Sequence, residues 1–143
     1  MNDNCKKLAD YFSLFDGTAR DWETRVRPLV EALYHDEMMV YSENSGDKTR
    51  SQMIDFVRRF NNAGGKAAMK IIEETPEGIL YQGRLCTPDG LNVEIHSLGK
   101  FKDDKLFIIE PVNPEVYHTM MSREYREKHV VETECPDCPG LAC

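Results

Sequence analysis

The sequence predicts a single α+β domain, on three observations. Apolar residues recur at helical spacing through the first 60 or so positions, then switch to strand-like runs. The breaks between those runs are short and rich in turn residues. Helical patterns come first and strands afterwards, which argues against a doubly wound sheet of alternating units.

The first helix is expected from about Asp3 to Phe15, with Leu8, Phe12 and Phe15 on one face and Cys5 and Tyr11 beside them. Asp16-Gly17 should stop it, because glycine tolerates the left-handed conformation at a helix end. A second helical stretch covers roughly Arg20 to His35, where Trp22, Val26, Leu29, Val30 and Leu33 make one apolar stripe. Pro28 should break or kink it, or start a new turn. Met38 to Tyr41 reads as a short strand. The third helix is the best marked. Thr49-Arg50-Ser51-Gln52 has the spacing of a capping box, Met53, Phe56, Val57 and Phe60 follow on one face, and Asn61 to Gly65 end it.

Strands are expected at Ala67–Glu74, Ile79–Thr87, Leu91–Lys102 and Lys105–Glu110. Thr75 to Gly78, Pro88-Asp89-Gly90 and Lys102 to Lys105 separate them, so consecutive antiparallel hairpins should result. One curved sheet wrapped round the helices would cover the apolar faces. The domain is expected over 1–121. Residues 122–143 are charged and contain cysteines, proline and glycine with few core formers, the composition of a flexible tail.

Composition narrows the function. The chain has 143 residues, 41% hydrophobic and 30% charged, enough for one core. No run approaches the roughly 18–20 apolar residues that span a bilayer, so no membrane partner is expected. No apolar stretch follows the polar N-terminus, so a cytoplasmic location is the expectation. Net charge is -7, which disfavours broad nucleic-acid binding. Five cysteines, three of them crowded at the C-terminal end, do not form a disulfide framework, and Cys5 and Cys86 read as ordinary thiols. Phosphate-cradling and classical hydrolase motifs are absent, and no cofactor is expected.

An ordered series of segments resembles the NTF2-like superfamily, also called SnoaL-like or cystatin-like. The segments are Tyr11 to Gly17, Leu33 to Tyr41, the capped helix with Phe56-Val57, and His96 to Leu106 followed by Ile108-Ile109-Glu110-Pro111. The resemblance covers about residues 5 to 117. It implies a cone: three N-terminal helices packed on a strongly curved antiparallel sheet, with an apolar cavity at the open end and homodimers formed through the sheet. The superfamily includes isomerases, cyclases, dehydratases and binding proteins, so fold alone leaves the function open.

The ketosteroid isomerases of that superfamily need a carboxylate base and two donors for the enolate oxygen, a Tyr and a protonated Asp. By motif register, Tyr11 falls on the donor tyrosine. Ser42 fills the base position and Ser97 the protonated-acid position, and a serine hydroxyl has no useful basicity near neutral pH without an adjacent base. Glu43 could replace the base only if its loop turned inward. His96 alternates with Ser97, so only one of them can face the cavity. With Ser97 inward, His96 belongs to the outer face; with the register shifted by one, it is the best general base in the chain. The adjacent His35 and Asp36 read as a helix end. Trp22, Tyr41, Met69, Tyr81 and Phe101, together with Tyr11, Ser42 and Ser97, are the expected ligand-binding set, although such a stripe can equally be plain core.

No metal is expected. His129, Cys135, Cys138 and Cys143 make a weak candidate set in the tail, at a spacing that fits no finger or knuckle. The expectation is therefore a protein that binds a small hydrophobic molecule. Any reaction it ran would be a cofactor-independent isomerisation, cyclisation or dehydration with Tyr11 as donor and His96 or Glu43 as base. The alternative is a non-catalytic dimerisation or adaptor module whose cavity is filled by its own side chains.

Overall fold

The computed structural model describes residues 3–15, 21–42, 46–88, 90, 92–112 and 131–133. Helix α1 runs Asp3–Ser13 and buries Cys5, Leu8, Ala9, Tyr11 and Phe12 on one side. Leu14 and Phe15 continue into the core, and the Phe15 carbonyl accepts the Ala67 N–H at 2.8 Å, which ties the end of the helix to the sheet.

The second helical stretch is broken where Pro28 demands it. Pro28 has no N–H to donate, and it sits in the first turn of α2 (Arg27–Leu33), where none is needed. Upstream the backbone widens into a π-turn, Trp22–Val26, in which the Val26 N–H reaches back to the Asp21 carbonyl at 3.2 Å. The Asp21 carboxylate caps this turn by accepting the Thr24 N–H. The helix ends at Leu33, the last residue of its apolar stripe and short of the expected His35: β1 spans Tyr34–Val40, so Tyr34 and His35 begin the strand. After the two-residue β2 (Lys48–Thr49), α3 spans Arg50–Asn62 with the capping box formed by Thr49 and Gln52. Arg50 donates to the carbonyls of Glu31 and Tyr34, joining the start of α3 to the end of α2.

Strands β3 (Lys66–Thr75), β4 (Gly78–Cys86), β5 (Asn92–Lys102) and β6 (Lys105–Pro111) form the expected antiparallel meander. Asp103 and Asp104 both take left-handed φ values, 53° and 62°, as a tight two-residue hairpin requires. The sheet order is β2-β1-β6-β5-β4-β3-β7. It is not purely antiparallel, because β1 runs parallel to β6. The chain returns to β1 only after the whole meander, so no hairpin constrains the direction of that pair. Register shifts between Ile71 and Glu73 and between Lys100 and Phe101 mark bulges, which bend strands and help curve the sheet round the helices. Val131–Thr133, within the expected tail, forms β7 against β3.

The core lies between the inner face of the sheet and the three α-helices. Leu8, Val26, Val30, Tyr34, Met38 and Leu106 are its most completely enclosed members. Cys5 is buried and outside any disulfide, whereas Cys86 is disulfide-bonded, contrary to its reading as an ordinary thiol. No helix among the described residues is long and apolar enough to cross a membrane.

Candidate functional site

The curved sheet and the helices α1 and α3 leave a cavity of about 520 Å³ between them. That lies within the size range of small-molecule sites, roughly 300–1,000 Å³. Leu8, Tyr11 and Phe12 of α1 form one wall, and Met53, Phe56, Val57 and Phe60 of α3 form another. Both stripes are consequences of helical spacing, since residues three and four apart share a face. Tyr81 of β4 and Val93, Ile95 and Ser97 of β5 supply the floor. Tyr41, Ser42 and Lys48 lie at the more exposed end, Tyr41 with 40% of its surface open.

The polar groups within the apolar shell are organised around tyrosines. The hydroxyls of Tyr11 and Tyr34 are 2.7 Å apart, deep in the core. Burial pushes the Tyr11 pKa up to about 12, and its hydrogen bond to Tyr34 works in the opposite direction. Burial also raises Tyr34 well above its ordinary value, and there the bond to Tyr11 adds to the rise. Tyr11 borders the cavity and Tyr34 does not. Tyr81 is raised by burial, partly offset by its hydrogen bond to Ser97, which faces it across the β4–β5 pair. All three hydroxyls are neutral donors near neutral pH.

Of the residues picked out from sequence, Tyr11, Tyr41, Ser42, Tyr81, His96 and Ser97 border the cavity. The other three of the ligand set do not. Trp22 is buried in the π-turn, Met69 is buried in β3, and Phe101 packs against the core from the far end of β5. The His96 carbonyl accepts the Val112 N–H at 2.8 Å. Strand alternation sends its side chain to the face opposite Ser97, on the side of its cross-strand neighbour Gln82. Glu43 and the tail set His129, Cys135, Cys138 and Cys143 fall outside the described residues. Among the described residues no group of three His, Cys, Asp or Glu could hold a metal ion.

Sequence reasoning missed Tyr34 and Lys48. Tyr34 was counted as helix, and nothing local ties it to a tyrosine 23 positions away. Lys48 left a usable signal: it immediately precedes the capping box, so it had to sit at the N-terminal end of α3. Its ammonium donates to the Gly46 carbonyl at 3.1 Å and lies 5.1 Å from the centre of the Phe56 ring.

No protein-family model matches the sequence, and no curated protein matches it. Solved structures do match in shape. An NTF2-like protein of unknown function from Exiguobacterium sp. 255-15 aligns with a TM-score of 0.56 at 22% identity, over 74% of this chain and 96% of that one. A candidate SnoaL-like polyketide cyclase from Jannaschia sp. CCS1 aligns with a TM-score of 0.54 at 11% identity, over 82% and 89%. An NTF2-like protein of unknown function from Burkholderia pseudomallei K96243 aligns with a TM-score of 0.53 at 15% identity, over 85% and 100%. The chain therefore has the NTF2-like fold, as its sequence resemblance implied.

Proposed function

We propose that this protein binds a small, mostly apolar molecule in the cavity between α1, α3 and the sheet. The observation that carries the reading is convergence: Tyr11, Ser42 and Ser97, far apart in sequence, all border one apolar space of about 520 Å³. A module filled by its own side chains would have no such space. Phe12 and Tyr81 do meet edge to face, with ring centres 5.7 Å apart, yet they form a wall and leave the volume open.

Binding is favoured over ketosteroid isomerase chemistry. That reaction needs a base to take a proton from carbon, and the described lining holds no Asp or Glu. By the motif register of the resemblance, Ser42 and Ser97 stand where that chemistry needs its two carboxyl groups. Tyr11, hydrogen-bonded to Tyr34, is the hydroxyl-bearing wall residue we assign to a carbonyl or hydroxyl oxygen on the ligand.

A thermal-shift screen with apolar ring compounds tests this directly. A ligand present at 100 times its Kd stabilises the folded state by about 2.7 kcal/mol, which moves Tm by several degrees in a domain of this size. The expected hits carry a carbonyl, and Tyr11→Phe should shrink their shift while sparing hydrocarbon analogues. Silence across a broad library would remove the reading.

A further inference from the structure

Building on the proposed occupancy of the cavity, we propose that the ligand is an anion: an apolar body whose carboxylate or equivalent group lies at the mouth, beside Lys48. The charge distribution of the walls points there. Among the described lining residues there is no Asp, Glu or Arg, and Lys48 is the one permanently charged side chain. A cavity of low polarity concentrates the field of such a charge, because little water is present to screen it.

Lys48 is held in place. It sits on β2, paired with Val40 of β1, and its ammonium is located by the Gly46 carbonyl on one side and the Phe56 ring on the other. Phe56 is itself a cavity wall, so the charge stands at the boundary between the apolar space and solvent. Partial desolvation lowers the lysine's pKa, with the nearby Arg59 adding to the fall and Asp47 opposing it. An incoming anion would replace part of the lost hydration. The neighbouring carboxylate of Asp47 is directed to the Ser42 backbone N–H, at 3.4 Å, and is not part of the lining.

The same distribution fixes which way round the ligand lies. At the deep end the polar groups are the neutral hydroxyls of Tyr11, Tyr81 and Ser97, which can bond an oxygen but supply no counter-charge. A buried anion without a counter-charge is costly, so the charged group belongs at the mouth and the rings with any neutral oxygen belong inside.

Two fluorescent probes with the same rings separate the possibilities. Anilinonaphthalene sulfonate is anionic, and phenylnaphthylamine lacks the sulfonate. Each would be titrated into the full chain and into Lys48→Met, with Tm checked for both proteins. The sulfonate should bind the unaltered protein about tenfold more tightly than the neutral probe. Lys48→Met should erase most of that margin and change the neutral probe less than twofold. Added salt should weaken the sulfonate alone, and saturation with the neutral probe should compete with it. If both probes bind but Lys48→Met leaves their ratio unchanged, or if the two do not compete, the anion proposal is overturned and the cavity reading stands. Binding of the neutral probe alone has the same meaning. If neither binds, the cavity reading falls and takes this proposal with it.

Discussion

Tyr11 and Tyr34 face each other hydroxyl to hydroxyl at 2.7 Å, one on α1 and the other on the first residue of β1. Their rings meet edge to face with centres 5.9 Å apart. The pair joins the N-terminal helix to the strand that borders β6, and one of its two tyrosines, Tyr11, borders the cavity.

Removing either hydroxyl leaves the other buried without this partner. Tyr11→Phe and Tyr34→Phe should each destabilise the fold by about 1–3 kcal/mol, the cost of an unsatisfied buried polar group. The double variant should cost less than the sum, because no orphan remains. A double-mutant cycle in urea should show a coupling of about 0.5 kcal/mol or more. Strict additivity would mean that the hydroxyls do not meet.

Alkaline pH should unfold the protein through these same groups. Burial raises the pKa values of Tyr11, Tyr34 and Tyr81 above the ordinary tyrosine value of about 10. A raised folded pKa means that the unfolded chain loses the proton first. The stabilising contribution is therefore complete below pH 10 and is lost as pH climbs from about 10 through 12. Of the six tyrosines in the chain, these three should ionise only together with unfolding, seen as a late step in tyrosinate absorbance that coincides with loss of circular dichroism. Six tyrosines titrating normally in a folded protein would contradict it.

Gly65 controls one wall of the cavity. A Cβ placed there would stand 2.5 Å from the Phe60 ring, too close for both to stay. Phe60 is buried, borders the cavity and is in contact with the Phe15 ring at 5.3 Å between centres, so it has little freedom to retreat. Gly65→Ala should cost about 1–3 kcal/mol as an overpacking change. Combining it with Phe60→Leu should recover part of that loss. A neutral Gly65→Ala in thermal unfolding would show that the ring moves freely.

What this sequence determined by itself is local. Thr49 and Gln52 lie three residues apart and satisfy each other within one turn, so the start of α3 could be read directly. Pro28 announced the break between the π-turn and α2 because a missing N–H is a property of one residue. The turns Thr75 to Gly78 and Lys102 to Lys105 placed the hairpins for the same reason. The tertiary structure decided the rest. That Tyr34 opens a strand, that β1 runs parallel to β6, and that Tyr11, Ser97 and Lys48 border one space all depend on where a bent sheet brings distant segments together. Periodicity records which face of an element is apolar. It does not record what that face meets, so Trp22, Met69 and Phe101 looked as much like cavity walls as Phe56 and Phe60 do.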